Sequence, residues 1–332
     1  MKIALLEVSH WHFPLYVETL LASEVEIVAL SDRDADVRER YAATFGCRAH
    51  DDVFRLIAEE AVDFAFAFGR HVEMPDIGQA LVAAGIPFSI EKPGGLDADA
   101  VAGLRRAAEA RDLFAAVALI ERVGPVRALL TRLIEDEGAD FTNSCWRFIA
   151  GPPERYPSIG CAWMLDPAVS GGGSLINLSH HYIDMAHFLL GGTAVTVMAR
   201  TSNRLHGSPV EDYAMLSLSA AGGKTALVET GYAFPDNPAL REYSFSVISK
   251  SHYVRSRLEG LSIYRAGQDA AKDVDLDLNS NPLFGRYAAR VLDDVRTGKP
   301  PVAGLADLEA TMRVIDAGYA AAKSGATVTT AV

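Results

Sequence analysis

A lysine stands directly after one of the apolar runs that the sequence predicts as strands. Lys92 lies in the triplet Glu91-Lys92-Pro93, immediately after the run Ile86–Ile90. Open α/β sheets bind ligands at the carboxyl ends of their parallel strands, so this position favours a site residue that can hold or transfer a proton. A surface turn ended by proline is the other interpretation.

Three polar residues share one face of a predicted helix over residues 174–190. Asn177, His181 and Asp184 are spaced i, i+4 and i+7, which places an amide, an imidazole and a carboxylate on one stripe. Polar groups on the stripe of an otherwise apolar helix need partners or a function. His180 lies about 100° off the stripe, which favours packing or solvent exposure over catalysis.

The turn after the first predicted strand reads Glu7-Val8-Ser9-His10-Trp11-His12. A dinucleotide-binding fold normally has three glycines in this turn, and Glu7, Ser9 and His12 occupy their positions here. Ser9, His10 and His12 can donate hydrogen bonds to phosphate, provided that the Glu7 carboxylate points away. The alternatives are a structural turn that has lost the dinucleotide site and a metal pair formed by His10 and His12.

Asp32 follows the last of these positions by 20 residues, at the end of the second predicted strand. This is the spacing of an acid that binds an adenosine ribose. A solvated residue before a helix, in the sequence Ser31-Asp32-Arg33-Asp34, is an equally weighted interpretation. A ribose-binding acid favours NAD over NADP, although Arg33 could accommodate a 2′-phosphate.

These residues require a parallel sheet in the first third of the chain. Apolar runs alternate there with amphipathic segments, and continuous apolar runs are typical of strands buried on both faces. The predicted strands are Ile3–Leu6, Val25–Leu30, Val62–Phe68, Ile86–Ile90 and Leu113–Ala118. The predicted helices are Ala35–Thr44, Pro75–Ala84 and Asp97–Ala110. Repeated βα units predict a Rossmann-like dinucleotide-binding domain over residues 1–118.

The pattern changes after about Ala118. Apolar and polar residues alternate in Ala214–Leu218 and Tyr243–Ile248, and Ala221-Gly222-Gly223 predicts a turn, so an open, mainly antiparallel sheet is expected. Residues 282–323 are predicted to be helical and could pack back on the first domain. We predict a second α/β domain over residues 119–332. Because an open sheet with one apolar face usually seeks a partner, a homodimer or homotetramer formed through this domain is expected.

Composition restricts the class of protein. The chain has 332 residues, of which 49% are hydrophobic and 22% charged, as is typical of globular domains. A net charge of −12 without a basic stripe argues against nucleic acid as a partner. Three separated cysteines without a CxxC pair fit a reducing compartment. The apolar runs are too short for a signal-peptide core or a membrane span, so a cytoplasmic protein is expected.

Three motifs in this order resemble the glucose–fructose oxidoreductase / inositol dehydrogenase (Gfo/Idh/MocA) family. They are Glu91-Lys92-Pro93, the helix motif from Gly171-Gly172-Gly173 to Asp184, and the tail from Arg296-Thr297-Gly298-Lys299-Pro300-Pro301 to Ser324-Gly325. Val62-Asp63 and Arg122-x-x-Pro125 extend the resemblance over nearly the whole chain. It implies a Rossmann domain, a substrate-binding α/β domain with an open antiparallel sheet, and NAD or NADP as cofactor. It also implies hydride transfer to or from a carbinol carbon of a sugar, polyol or sugar derivative.

The resemblance places Lys92 at the family's active-site lysine and His181 at its helix histidine. A neutral His181 could accept the hydroxyl proton as hydride leaves, while Lys92 holds that hydroxyl and stabilises developing charge. Asn177 stands where many members of the family have Asp, so proton transfer would rest on His181, Lys92 and water. This difference and the absent glycines leave a cofactor-free sugar-binding or regulatory relative as the alternative function.

The predicted site residues form three groups. The predicted catalytic residues are Lys92, His181 and Asn177. The predicted cofactor-binding residues are Ser9, His10, Trp11, His12, Asp32, Arg33, Arg70, Glu91, Lys92 and Pro93. The predicted substrate-binding residues are Arg122, Tyr156, Trp163, Asp166 and Asp184, and Arg155 offers a further polar group beside Tyr156. No metal is expected.

Overall fold

The computed structural model describes residues 1–192 and 194–332. Within these ranges the strands form a sheet of six strands and a sheet of nine. The strands of the first sheet are β1 (Lys2–Leu6), β2 (Glu26–Ser31), β3 (Arg48–His50), β4 (Phe64–Ala67), β5 (Phe88–Ile90) and β6 (Ala115–Val117). The helices between them are α1 (Pro14–Ala22), α2 (Ala35–Phe45), α3 (Val53–Glu59), α4 (Met74–Ala84) and α5 (Ala98–Glu109).

The first sheet is parallel throughout and has the strand order β3-β2-β1-β4-β5-β6. Its strands are buried on both faces because helices cover both, and every residue of β4 is buried. The predicted Rossmann-like sheet is thereby confirmed. The strand order reverses between β1 and β4, so the carboxyl ends of these two strands open a crevice in which a ligand can bind.

The predicted bounds of the elements in this part of the chain agree with the observed ones to within about two residues. The helix ends follow local chemistry, since Asp34 and Asp97 accept hydrogen bonds at the N-termini of α2 and α5. The sequence analysis did not predict β3 or α3. Two of the three residues of β3 are exposed, so it has no apolar run that could reveal it.

The second sheet has the strand order β14-β13-β12-β11-β7-β10-β9-β8-β15. Its strands are β7 (Asn143–Ala150), β8 (Ala194–Ser202), β9 (Tyr213–Ala220), β10 (Thr225–Tyr232), β11 (Arg241–Ile248), β12 (His252–Arg257), β13 (Gly260–Arg265), β14 (Lys272–Val274) and β15 (Val328–Ala331). Apart from the parallel pair β7 and β10, the neighbouring strands described are antiparallel, which confirms the prediction. The outer face exposes Met198, Met215 and Leu227.

The remaining helices follow β6 in the chain, and the first of them leads from the first sheet to the second. They are α6 (Pro125–Glu137), α7 (Arg155–Ser158), α8 (Pro167–Ser170), α9 (Ser174–Leu178), α10 (His180–Leu190), α11 (Asn281–Thr297) and α12 (Leu305–Ser324). The helix predicted over residues 174–190 is divided at Ser179, whose hydroxyl donates to the carbonyl of Leu175. Gly191 ends it in the left-handed range of φ, at 61°. The C-terminal helices pack on the first domain, α11 against α1 and α12 against α5.

No helix in the part of the chain that the structure describes is long and apolar enough to cross a membrane. Cys161 is buried, and Cys47 and Cys145 are partly buried.

Candidate active site

A cavity of about 410 Å³ lies where the carboxyl end of β5 faces α9, α10 and the second sheet. Its polar lining includes Lys92, Asn177, His181, Arg155, Tyr156 and Arg241. We refer to this space as the cavity. Its volume is in the range typical of small-molecule sites. Lys92, the second residue after β5, therefore meets Asn177 and His181 from the α9–α10 junction, as expected from the sequence.

Lys92 is held at the base of the cavity. Its side chain is only 2% exposed, and its ammonium donates to the backbone carbonyl of Asn177 at 2.7 Å and to Oδ1 of the same residue at 3.0 Å. Burial lowers the pKa of Lys92 from 10.5 to about 8, because the nearby Glu91 carboxylate only partly offsets the cost of desolvating the charge and Arg155 adds repulsion. Lys92 can therefore gain and lose a proton close to neutral pH.

The Asn177 amide connects Lys92 to two tyrosines. Its nitrogen donates to the hydroxyls of Tyr156 and Tyr232, while its oxygen accepts from Lys92. The Tyr156 oxygen also accepts from the Arg155 guanidinium at 2.6 Å. A tyrosine hydroxyl has two acceptor positions and one hydrogen, so the Tyr156 hydrogen remains able to donate to a ligand in the cavity.

His181 lies in the same lining but titrates in a different range. Burial, together with the Lys92 charge, lowers the pKa of His181 to about 3. It is therefore a neutral imidazole at ordinary pH. Its Nδ1 has no hydrogen-bond partner among the described residues. His180 is fully buried and contacts the sulfur of Met312, so it packs in the interior, one of the two places predicted for it.

His12, which lines the cavity, pairs with the buried carboxylate of Glu91. The His12 Nδ1 lies 3.1 Å from Glu91 Oε2, and the Tyr16 hydroxyl donates to Oε1 at 2.6 Å. Burial is the main cause that lowers the pKa of His12 well below its ordinary value, and the Lys92 charge adds to it. A neutral His12 that donates Nδ1–H to Glu91 presents Nε2 as an acceptor. Glu91 thus orients His12 and lies next to the Lys92 charge.

The turn after β1 contains no glycine, yet one of its residues has a backbone conformation that glycine usually adopts. Glu7 has φ 59°, in the left-handed range that normally favours glycine. Its carboxylate points toward β2, where it accepts hydrogen bonds from the Ser31 hydroxyl at 3.2 Å and from the Arg33 guanidinium at 3.1 Å. The repulsion that a carboxylate at this position would exert on a pyrophosphate is therefore relieved by the Arg33 pair.

Asp32 is buried behind the same turn. Its side chain is 0% exposed, and its carboxylate accepts from the backbone N–H groups of Ser9 and Asp34. Asp34, not Asp32, caps α2, so the interpretation of Asp32 as a solvated residue before a helix is wrong. In this arrangement the Asp32 carboxylate holds the turn and offers no exposed oxygen to a ribose.

A second space, the cleft, has a volume of about 440 Å³ and runs along the turn after β1. Its lining includes Ser9, His10, Trp11, Trp163 and three arginines, namely Arg33, Arg40 and Arg70. Arg33 is paired with the carboxylates of Glu7 and Glu73, so Arg40 and Arg70 are the guanidinium groups that suit the diphosphate of a dinucleotide, since arginine donors match phosphate geometry. The residues of the cleft therefore fit the anionic part of NAD or NADP.

Trp11 lines both the cleft and the cavity. Its ring stacks on His10 with centroids 3.7 Å apart, and the Lys92 nitrogen lies 5.7 Å from its centroid. Trp163 packs at 5.7 Å on the cleft side. His71 is fully buried at the same junction, where its Nδ1 hydrogen-bonds the carbonyl of Ser170 at 2.7 Å.

Some of the predicted substrate residues lie outside the cavity. Arg122 pairs with Asp184 at 2.6 Å and with Asp307 at 2.8 Å, which ties α10 to α12. Asp166 accepts from the N–H of Ala168 and caps α8. The site also contains residues that the sequence analysis did not identify, chiefly Arg241 on β11, for which no local motif gives a signal. Pro93 is buried after Lys92.

No group of three or more His, Cys, Asp or Glu side chains within residues 1–192 and 194–332 is arranged to hold a metal ion.

Comparison with known proteins identifies relatives of both domains. Residues 145–250 match the family model described as the GFO/IDH/MocA C-terminal domain. A protein named as a UDP-kanosamine synthase oxidoreductase subunit of Amycolatopsis mediterranei is 29% identical over 174 residues, which are 52% of this chain and 47% of that protein. The trans-1,2-dihydrobenzene-1,2-diol dehydrogenase of Oryctolagus cuniculus is 25% identical over 213 residues, 64% of this chain and 62% of that enzyme. The matches thus span about half to three fifths of these curated relatives.

The whole fold also occurs in solved structures. The crystal structure of an oxidoreductase from Agrobacterium radiobacter, in complex with NAD+, L-tartaric acid and magnesium, superposes with a TM-score of 0.85 at 21% identity. The match covers 99% of this chain and 98% of that one, so the two share both domains. The resemblance to the GFO/IDH/MocA family based on Glu91-Lys92-Pro93 and the helix motif is confirmed by these matches, since residues 145–250 match the model of that family's C-terminal domain.

Proposed function

We propose that the protein is an NAD(P)-dependent oxidoreductase that transfers hydride to or from a carbinol carbon of a sugar, polyol or sugar derivative. The observation that carries this proposal is the buried Lys92 ammonium, which lines a sugar-sized cavity with His181, next to the arginine-lined cleft. The relatives named above support it, since they are a diol dehydrogenase and oxidoreductases, one of them crystallised with NAD+.

Of Lys92 and His181, Lys92 has the pKa that is better suited to proton transfer near neutral pH. General acid–base catalysis is most effective when the pKa lies near the working pH, and the pKa of Lys92 is about 8 while that of His181 is about 3. In the oxidation direction a neutral Lys92 accepts the hydroxyl proton of the substrate, and in the reduction direction its ammonium returns it. His181 then acts as a hydrogen-bonding partner of that hydroxyl. The roles inferred from the resemblance are thereby exchanged.

Asn177 positions Lys92 in this scheme. Its backbone carbonyl and its amide oxygen fix the Lys92 nitrogen, and both hydrogens of its amide nitrogen are engaged by tyrosine hydroxyls. Burial lowers the pKa of Lys92, and a neutral amide at position 177 does not oppose this effect as a carboxylate would. The replacement of the usual Asp by Asn thus suits a lysine that must release its proton.

Ser9, His10, Arg33 and Arg70 would hold the cofactor along the cleft. A bound nicotinamide dinucleotide supplies the hydride acceptor or donor. The sequence-based reason for a preference for NAD was a ribose contact from Asp32, and the buried Asp32 carboxylate does not provide it here. Arg33 and Arg40 lie on the cleft and would suit a 2′-phosphate, so NADP is a full alternative to NAD.

A homo-oligomer formed through the second sheet is part of the proposal. The outer face presents Met198, Met215 and Leu227 at 44–52% exposure on neighbouring strands β8, β9 and β10. Such a patch favours association with a second copy. Light scattering that finds a stable monomer would contradict this part of the proposal.

Titration of the purified protein with NADH and NADPH, followed by nucleotide fluorescence and by the fluorescence of Trp11, tests the function directly. We expect micromolar binding, then turnover with a member of a sugar and polyol panel, and loss of that turnover in Lys92→Met. Absence of binding up to about 1 mM, where the binding free energy is only about −4 kcal/mol, together with a sugar-induced rise in Tm, would support the cofactor-free sugar-binding alternative.

A further inference from the structure

The cavity has an unbalanced charge. Lys92, Arg155 and Arg241 contribute cationic groups to its lining, and no Asp or Glu is among the described residues that line it. The Glu91 carboxylate lies next to Lys92 outside this lining and partly offsets the Lys92 charge, so the excess charge is that of the two arginines. The two histidines of the cavity do not alter this balance, because burial lowers the pKa of both His12 and His181 below neutral pH. A cationic cavity in a chain with a net charge of −12 is a local feature and not a reflection of overall composition.

Arg155 lines the cavity and carries a donor that has no partner among the described residues. One terminal nitrogen, Nη2, donates to the Tyr156 hydroxyl, and the guanidinium lies 4.6 Å from the Tyr156 ring centroid and 5.4 Å from that of Tyr232. The other terminal nitrogen, Nη1, is buried and has no hydrogen-bond partner within the described residues. A buried guanidinium N–H without a partner is costly unless a ligand satisfies it.

Arg241 lines the same space from the first residue of β11. Its Nη1 donates to the backbone carbonyls of Pro238 and Leu240, each at 2.7 Å, which fixes the group in place. Burial and repulsion by the Arg155 charge lower the pKa of Arg241. The two guanidiniums therefore repel each other without a carboxylate between them, and an anion placed there would remove that repulsion.

Resting on the function proposed above, we propose that the substrate of this site is an anionic sugar, one that carries a carboxylate or a phosphate group, and that Arg155 and Arg241 bind that group. The anion satisfies the unpartnered Arg155 nitrogen, and the carbinol of the same molecule lies toward Lys92 and His181. A cavity of about 410 Å³ accommodates a single monosaccharide with such a substituent. The two guanidinium groups bind the charged end of the substrate, and Lys92 exchanges a proton with its alcohol group.

The test measures binding to the full chain by isothermal titration calorimetry without any cofactor. The probes are D-glucuronate, D-galacturonate, D-glucose 6-phosphate and D-galactose 6-phosphate, each compared with its neutral parent hexose. We expect at least one anionic sugar to bind about tenfold or more tightly than its parent, and the uronate and phosphate arms identify which anion is used. If none of the anionic sugars binds more tightly than its parent, including the case in which none binds at about 10 mM, the inference is overturned.

Two variants at one position and one control locate the effect. Arg155→Met should weaken binding of the preferred anionic sugar by about 10- to 100-fold, since hydrogen bonds to charged groups have this strength, and Arg155→Lys should recover part of the loss. Arg255→Met removes an exposed arginine from β12 and should change nothing. Unchanged affinity in Arg155→Met, with Tm and circular dichroism showing a folded protein, would overturn the role of Arg155.

The result is separable from the proposed function because the assay needs neither cofactor nor turnover. Tight binding of an anionic sugar without NAD(P)-dependent turnover would leave this inference standing and remove the oxidoreductase. Turnover of neutral sugars alone, with no tighter binding of any anionic probe, would support the oxidoreductase and overturn this inference.

Discussion

Replacement of Lys92 by methionine should separate the catalytic role of this residue from its effect on stability. Methionine has a similar length and no charge, so Lys92→Met removes a buried ammonium from the base of the cavity while filling the same space. The ammonium is 2% exposed and has two acceptors, both on Asn177. We expect the oxidation rate to fall by about 10²- to 10⁴-fold, the usual contribution of a general acid–base group.

The expected effect on stability follows from the lowered pKa of Lys92. A fall from 10.5 in the unfolded chain to about 8 in the folded one corresponds to about 3 kcal/mol. Between these two pKa values the unfolded chain binds the proton and the folded chain does not, so the folding free energy contributed by Lys92 becomes more favourable as pH rises. Below pH 8 the buried charge therefore destabilises the fold by that amount, and above 10.5 it does not.

Lys92→Met abolishes this dependence. Relative to the wild type, the variant gains about 3 kcal/mol at neutral pH from the absent charge and loses about 1 to 3 kcal/mol from the acceptors left without a donor. Its stability at about pH 7 should therefore equal that of the wild type or exceed it by up to about 2 kcal/mol. From pH 7 to about pH 10 the variant should lose about 2.5 kcal/mol relative to the wild type, because the wild type is relieved of most of the penalty of its buried charge.

Urea unfolding of the wild type and of Lys92→Met at both pH values measures how the stability difference between the two proteins changes with pH. Other titrating groups are common to both proteins, so their contributions cancel. Lys299→Met, which removes a lysine that is 58% exposed, is the control and should show no such change with pH. A stability difference that is the same at both pH values would refute the lowered pKa. A variant that keeps more than about a tenth of the wild-type rate would refute the catalytic role.

Three further predictions concern the same site and its supports. The rate of alcohol oxidation should rise with pH through a midpoint near 8 as Lys92 loses its proton, and a flat profile of kcat from about pH 6 to pH 10 would contradict this. Asn177→Asp places a carboxylate beside the Lys92 nitrogen, so the midpoint of the pH profile should move up by about one to three pH units. The hydroxyls of Tyr156 and Tyr232 can turn to donate to the new carboxylate, so the variant should keep these two contacts. An unmoved midpoint would show that another group titrates. Asp184→Asn breaks a buried ion pair with Arg122 and should lower the free energy of unfolding in urea by about 3 kcal/mol, whereas a loss below about 0.5 kcal/mol would mean that Asp307 alone satisfies Arg122.

The positions of Lys92, Asn177 and His181 could be predicted from the sequence because short-range patterns determine them. Lys92 follows an apolar run that can only be a buried strand, and Asn177 and His181 are one helical turn apart. Asp184 is a further turn along, and there the same spacing failed as a guide, because its carboxylate pairs with Arg122, which lies far away in sequence and also pairs with Asp307. Arg241 shows the same limit, since β11 reaches the cavity only through the register of the second sheet.

The pKa values could not be predicted from the sequence either, because they depend on burial. As isolated groups, Lys92 would be a permanent cation and His181 a residue that titrates near neutral pH. Desolvation lowers both pKa values, so that the lysine titrates close to neutral pH and the histidine far below it. An assignment of acid and base by residue type alone therefore reverses the two roles.

Glu7 shows why an absent glycine motif does not mean an absent turn. A side chain in the left-handed region costs about 1 to 2 kcal/mol, which glycine avoids. Here the Glu7 carboxylate accepts from Ser31 and pairs with Arg33, and each such contact returns about 0.5 to 1.5 kcal/mol, so the two together offset the strain. The same contacts turn the carboxylate away from the cleft and hold one of its arginines in place. The residue that most weakened the sequence argument for a dinucleotide site thus preserves the turn and fixes the position of Arg33 at the cleft.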